Sequence, residues 1–250
     1  MIVTDLDNTL LRRDKTISNY TKSIFSRCAD AGIKIVFATA RPVRAVTKWL
    51  NLDIRNDACI CHNGAVIYIG GELFLETGIE HDSVCRFLDG AKQFDKMKIA
   101  AEINDTLYAN FDASTIWPGV EYTMTDFDDL PMAPADKLIF VTTNENEIKK
   151  IERLCADNLY WEISENEVLM IMNINARKIN AVKKIAAHYG FSPAETVAFG
   201  DDYNDVEMLR ECGAGVAVNN AIDAAKAAAD FVCGDCDDDG VSKWLEKHIL

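Results

Sequence analysis

The sequence predicts an α/β protein, with a parallel-sheet core interrupted by an inserted α+β unit. Three observations carry this expectation. Short apolar runs alternate with amphipathic helical stretches at both ends of the chain. Those runs stop at polar loops rich in Asp, Thr and Asn, where strands of an open parallel sheet meet their ligands. Between residues 81 and 173 the rhythm changes to closely spaced strands joined by tight Asn and Asp turns.

In chain order, residues 1–4 form a short strand cut off by the acidic loop Asp5-Leu6-Asp7-Asn8-Thr9. Ser18 caps a helix that carries Ile24, Phe25 and Cys28 on one face and ends at Gly32. Ile33 to Ala38 is almost continuously apolar, as in a strand buried on both faces. It stops at Thr39-Ala40-Arg41, and Pro42 suits the first turn of the next helix. Ala58 to Cys61 is a third strand, closed by the turn signal His62-Asn63-Gly64. The middle reads as a helix over 82–94, strands over 97–103, 106–111 and 137–142, a helix over 145–156, and strands over 160–164 and 167–172. Asn104-Asp105 and Glu165-Asn166 are its turns. The core resumes with a helix opening at Lys178, with Ile179, Val182, Ile185, Ala186 and Tyr189 along one side. Ser192-Pro193-Ala194-Glu195 has capping-box form. Val197-Ala198-Phe199 is a strand, followed by the loop Gly200-Asp201-Asp202-Tyr203-Asn204-Asp205. A helix to Cys212-Gly213, a strand over Gly215–Val218, an alanine-rich helix near Ala221–Ala229 and a short strand at Phe231-Val232-Cys233 complete the pattern. The expected domains are residues 1–80 with 174–250, and residues 81–173.

Composition narrows the partners. The 250 residues are 49% apolar and 26% charged, ordinary for a globular enzyme. Forty acidic against 26 basic residues give a net charge of −14, so nucleic acid and anionic membranes would be repelled. An anionic substrate must then be small and held by local cations or a metal. Met1 leads directly into Ile2-Val3-Thr4 with no basic leader and no long apolar stretch, which predicts a cytoplasmic protein whose eight cysteines are thiols. The expected assembly is a monomer or small homo-oligomer. Cys59-Ile60-Cys61-His62 and Cys233-Gly234-Asp235-Cys236 could supply zinc ligands, but Cys59 and Cys61 sit in an apolar run and suit a core better. The acidic stretch Asp235–Asp239 reads as a solvated loop.

The strand-end loops carry phosphoryl-transfer chemistry. Such chemistry needs a hard divalent ion on one or two carboxylates, and Asp5 and Asp201 would provide them if the sheet brings them together. It needs an in-line nucleophile, which a carboxylate can be. It needs an acid for the leaving oxygen that later serves as base toward water, and Asp7 stands two residues along. Thr39, Lys178 and nearby backbone N–H groups can neutralise the phosphoryl oxygens. Each piece alone is common: an Asp-x-Asp also holds metal in nucleotide-sugar transferases, and Asp5–Thr9 superficially resembles a calcium loop, although Leu10 stands where that loop needs glycine.

Together, Asp5-Leu6-Asp7-Asn8-Thr9-Leu10-Leu11, Ala38-Thr39-Ala40-Arg41, Asn63-Gly64-Ala65, Lys178, Gly200–Asp205 and Asp239-Gly240-Val241 resemble the haloacid dehalogenase superfamily, in its Cof-like, subclass IIB phosphatase branch. The resemblance implies a Rossmann-like parallel-sheet core with an inserted α+β cap domain, placed after the third core strand and closing over the site. It implies Asp5 as nucleophile, Asp7 as general acid/base, and Mg²⁺ held by the Asp5 carboxylate, the Asp7 carbonyl and Asp201, with Asp205 supporting it from behind. It also implies phosphate binding by Thr39, Ala40, Arg41 and Lys178, with Asn204 positioning phosphate or Lys178. Asn8 and Ala40 stand where the family usually has glycine. The implied activity is Mg²⁺-dependent hydrolysis of a small phosphomonoester, a sugar phosphate, through an aspartyl-phosphate. A phosphomutase and a non-catalytic phosphometabolite sensor are the alternatives. In the cap, Trp117, Glu121, Trp161 and Asn173 are candidate substrate contacts; core packing is the plainer account of both tryptophans.

Overall fold

The structure is a computed structural model that describes residues 1–50, 54–94, 96–155, 157–164 and 168–250. The expected turn at Glu165-Asn166 lies outside these residues. The chain divides into two compact units, Met1–Leu75 with Arg177–Leu250, and Glu76–Ala176.

The first unit begins with β1 (Ile2–Thr4), α1 (Asn19–Asp30), β2 (Ile35–Ala38), α2 (Val43–Leu50) and β3 (Ala58–Cys61). β4 (Val66–Ile69) and β5 (Glu72–Glu76) follow. The second unit then runs α3 (His81–Ala91), β6 (Lys98–Ile103), β7 (Thr106–Ala109), β8 (Thr123–Met124), β9 (Lys137–Val141), α4 (Glu145–Leu154), β10 (Leu159–Ser164) and β11 (Val168–Asn173). The chain returns through α5 (Lys178–Tyr189), β12 (Val197–Gly200), α6 (Val206–Glu211), β13 (Ala214–Ala217), α7 (Asp223–Ala228), β14 (Phe231–Val232) and α8 (Gly240–His248).

The core sheet has the order β14-β13-β12-β1-β2-β3-β4-β5. The pairs from β14 through β3 are parallel, and β3–β4 is antiparallel. The parallel part follows the apolar runs, because strands covered on both faces are apolar without alternation. Ile2, Val3 and Thr4 are all buried, as are the four residues of β2 and of β3. The insertion therefore does not leave directly from β3: the β4–β5 pair intervenes. β5 has only Leu73, Phe74 and Leu75 between two glutamates, and its surface is largely exposed, so it gives no buried-strand signal.

Local chemistry sets the helix starts. Ser18 accepts from the Thr21 N–H at 3.0 Å. Glu195 accepts from both Ser192 N and Oγ at 2.9 Å, the reciprocal box read from sequence. α5 ends at Gly190 in the left-handed region, φ 78°, as C-terminal glycines do.

The second unit has its own sheet, ordered β10-β11-β9-β6-β7-β8. α3 and α4 contribute Val84, Phe87, Leu88 and Ile151 to an apolar core shared with Ile99, Leu138, Phe140 and Leu169. Trp161 packs against that core. Trp117 lies 6.4 Å from the Phe111 ring, centroid to centroid. Asn173 bridges two segments of this unit, donating to the Gly78 carbonyl at 2.9 Å and accepting from Asn175 N–H at 2.9 Å. Glu121 is exposed. No described helix is long and apolar enough to cross a membrane.

One buried group in this unit opposes stability at high pH. Asp136 is 2% exposed, and burial, reinforced by the charges of Glu76 and Glu102, pushes its carboxyl up to about 7. The folded state then binds more protons than the unfolded chain from about pH 4 to pH 7, so this group's contribution is fully present below that window and lost as pH rises through 7. Asp136→Asn is expected to raise the melting temperature at pH 8 by a few degrees, the size of change that about 1–2 kcal/mol gives in a chain of this length, and by much less at pH 5. Calorimetry at the two pH values checks it; equal shifts would reject the assignment.

Candidate active site

Register brings the polar loops together. Thr4 of β1 pairs with Phe37 of β2 on one side and Phe199 of β12 on the other. The three strands are parallel, so the residues after them leave the sheet at one edge. Asp5 follows β1, Thr39 follows β2, and Asp201 follows β12. This is the carboxyl edge at which open α/β sheets bind ligands.

Asp5 leaves β1 with its N–H donating to the Phe199 carbonyl at 3.0 Å. Residues 6–10 then make one wide turn, closed by Leu11 N–H on the Leu6 carbonyl at 2.7 Å. Asn8 sits at φ 56° in that turn, a conformation glycine adopts freely and asparagine tolerates better than most residues. That accounts for asparagine at a position where glycine is usual. Ala40 is not among the positive-φ residues, so a methyl group fits its backbone without strain.

The centre of the site is the Lys178 ammonium, at the start of α5. Its side chain is 0% exposed, and it donates to Asp5 Oδ1 at 2.6 Å and Asp205 Oδ1 at 2.8 Å. Asp205 also takes the backbone N–H groups of Asp201 and Asp202 on Oδ2, at 2.9 and 3.2 Å. Both of its oxygens are thus engaged in holding the loop and the lysine. Gly200 makes this possible: a Cβ there would lie 2.4–2.7 Å from the Asp205 side chain. Asp201 is oriented by Thr9, whose hydroxyl donates to Oδ1 at 2.7 Å.

Oxygens of Asp5, Asp201 and Asp205 lie within 4.8 Å of one another. Burial pushes the Asp5 carboxyl well above the ordinary range, against the pull of Lys178. Burial and the neighbouring Asp205 charge raise Asp201 to about 7. Burial alone would lower Lys178, but the charges of Asp205 and Asp5 outweigh it and keep the ammonium protonated. Three clustered acids facing one cation form an all-oxygen donor set short of positive charge, which fits a hard divalent ion such as Mg²⁺.

Asp7 occupies a different environment. Arg41 grips it with Nε on Oδ2 and Nη2 on Oδ1, both at 2.6 Å, and Lys15 adds a contact to Oδ1 at 2.9 Å. Burial acts to raise its pKa, but these hydrogen bonds prevail and hold the carboxyl below its ordinary range. Thr39 is buried, and its hydroxyl accepts the Arg41 backbone N–H at 3.1 Å. Asn204 donates to Asn63 Oδ1 at 2.9 Å rather than reaching Lys178.

Sequence patterns did not single out Lys15 or the role of Thr9. Thr9 follows Asp7 by two residues on a turn whose shape the sequence does not reveal. The acidic stretch is also not a plain solvated loop. Arg13 is ion-paired with Asp235 at 3.0 Å and with Asp237, and Arg12 with Asp239 at 3.0 Å. Those pairs account for the Asp235-Cys236-Asp237 cluster without a metal. Among the described residues no group of close donors joins Cys59, Cys61 or His62 to Cys233 and Cys236, as zinc would require.

A family model of haloacid dehalogenase-like hydrolases matches residues 2–245. The chain is 26% identical to the 5-amino-6-(5-phospho-D-ribitylamino)uracil phosphatase YitU of Bacillus subtilis, covering 100% of this chain and 97% of the relative. Among solved structures, TM0651 from Thermotoga maritima shares 27% identity with a TM-score of 0.86, covering 100% and 97% of the two chains. The subclass IIB sugar phosphatase BT4131 shares the fold at 22% identity, TM-score 0.86, over 98% and 97%.

Removing the central cation should be costly. Lys178→Met would leave Asp5 and Asp205 buried together without a counter-charge, and is expected to lower unfolding free energy by about 3–5 kcal/mol. Urea denaturation at neutral pH measures it, and a loss below about 1 kcal/mol would contradict the central place given to this lysine.

Proposed function

We infer the activity from one premise: the chain belongs to the haloacid dehalogenase-like hydrolase family. It is a phosphatase of that family acting on a small phosphorylated metabolite. The observation that carries this is the buried Asp5–Lys178–Asp205 array with Asp201 within ligand distance of both acids.

In the mechanism we propose, an Asp5 carboxylate oxygen attacks phosphorus as the ester P–O bond breaks, forming an aspartyl-phosphate. Asp7 gives a proton to the departing alcohol oxygen. Water then attacks the aspartyl-phosphate, Asp7 takes a proton from it, and inorganic phosphate leaves with Asp5 regenerated. Lys178 and the Thr39 hydroxyl bind the non-bridging oxygens, with the Ala40 backbone N–H beside them, while the Arg41 N–H donates to Thr39 and orients its hydroxyl. The Asp5 carboxylate, the Asp7 carbonyl and Asp201 would hold Mg²⁺, and Asp205 would support them through Lys178 and the 201–202 backbone. When bound, the ion would supply positive charge that favours ionised carboxylates and neutralises the phosphoryl group.

A sugar phosphate or similar polyol phosphate is the substrate class. The relative YitU is named for a phosphate carried on a ribityl chain, which has that chemistry. The net charge of −14 favours a monoester over a polyanion.

Asp5→Asn removes the nucleophile while keeping its shape. It is expected to cut hydrolysis of p-nitrophenyl phosphate by about 10⁴-fold or more, with the circular dichroism spectrum unchanged. Substantial turnover by a folded Asp5→Asn protein rules out the aspartyl-phosphate. EDTA should abolish activity and excess Mg²⁺ restore it; activity that survives chelation would exclude the metal.

A further inference from the structure

Residues 11–16 form a small turn whose purpose the reaction above leaves open. Arg12 N–H donates to the Thr16 carbonyl at 3.1 Å, and Lys15 N–H to the Arg12 carbonyl at 2.8 Å. The Asp14 carboxylate accepts from Thr16 N–H and hydroxyl at 2.9 and 2.6 Å. Lys15 sits at φ 65°, a left-handed conformation that a lysine keeps only where its surroundings impose it.

The surroundings come from the far end of the chain. Arg12 Nη2 grips both oxygens of Asp239 at 3.0–3.1 Å, and Asp239 also accepts from the Thr21 hydroxyl at 3.2 Å. Arg13 binds the Asp235 carboxylate with two N–H groups at 3.0 Å, and its own backbone N–H donates to Asp237 at 2.9 Å. Asp239 is itself at φ 56°, where it precedes α8. Two arginines thus pin the base of the turn, and its tip delivers the Lys15 ammonium to Asp7.

At Asp7 the donors are shared unequally. Oδ1 takes Arg41 Nη2 and Lys15 Nζ, whereas Oδ2 takes Arg41 Nε alone among the described residues. A carboxylate oxygen has room for two donors. Oδ1 is therefore filled and Oδ2 keeps one place.

We propose that Lys15 is a positioning residue for Asp7: by filling Oδ1 it leaves Oδ2 as the oxygen that exchanges the proton with the leaving alcohol and with water. Asp235, Asp237 and Asp239 serve this arrangement at a distance by fixing the turn. The proposal rests on Asp7 being the acid and base of the reaction.

A misplaced proton donor hurts substrates with poor leaving groups most. The test compares kcat on glycerol phosphate, a poor alkyl leaving group, and on p-nitrophenyl phosphate, a good one, with Mg²⁺ present. Lys15→Met is expected to lower kcat on glycerol phosphate about tenfold and on p-nitrophenyl phosphate less than about twofold, with Lys15→Arg recovering part of the loss. Asp239→Asn, which weakens the anchor without touching Asp7, should show the same bias at smaller size. Asp7→Ala should show a larger bias than either. If Asp7→Ala is biased but Lys15→Met loses both substrates equally, or changes only KM, Lys15 does not position the acid and the proposal falls while the role of Asp7 stands. If Asp7→Ala shows no bias, both fall together.

Discussion

The site is organised around one buried positive charge. The Lys178 ammonium has no access to water, and an uncompensated ion there would cost several kcal/mol. Asp5 and Asp205 supply the compensation from two different strand-end loops. Because each carboxylate is held by the same lysine, the loop after β1, the loop after β12 and the first turn of α5 are fixed with respect to one another. Gly200 belongs to this constraint, since no other residue would let Asp205 approach the Asp201 backbone.

The two acids of the first loop show how environment divides chemistry between like groups. Asp5 lies in a dry cluster of acids with one cation. Asp7, two residues later, lies in the fork of an arginine with a lysine beside it. Burial pushes the first carboxyl up, and hydrogen bonds hold the second down. Held ionised, Asp7 is in the form that takes a proton from water in the proposed second step, and a cation beside Asp5 would return that carboxyl to the ionised form the proposed attack requires.

Much of the core was legible because its signals are local. Continuous apolar runs marked β1, β2, β3 and β12, and Ser18 and the Ser192–Glu195 box marked starts whose bonds form as expected. The polar residues after those runs marked the site, since strand direction and strand order bring loop ends to one edge. β5 was not legible, because its apolar residues Leu73, Phe74 and Leu75 are a run of only three between glutamates and lie largely exposed. Nor was the role of Lys15, whose contact with Asp7 depends on a left-handed turn anchored more than 200 residues away by Asp235, Asp237 and Asp239. The acidic stretch looked solvated because sequence separation hides its arginines. The asparagine at position 8 became intelligible only with its φ of 56°.

The strand order has a consequence for how the protein is made. β1 precedes the other strands of its sheet along the chain and occupies the middle of that sheet, between β2 and β12. Its second edge stays bare until residues 197–200 have been synthesised. The inserted unit, whose strands pair largely with near neighbours in sequence, can complete its own sheet before then. Lys178, Asp201 and Asp205 arrive with the same late segment that covers β1. The nascent chain therefore acquires its reactive centre and the closure of its central sheet in one step, so a truncated product carries neither a complete site nor a protected sheet edge.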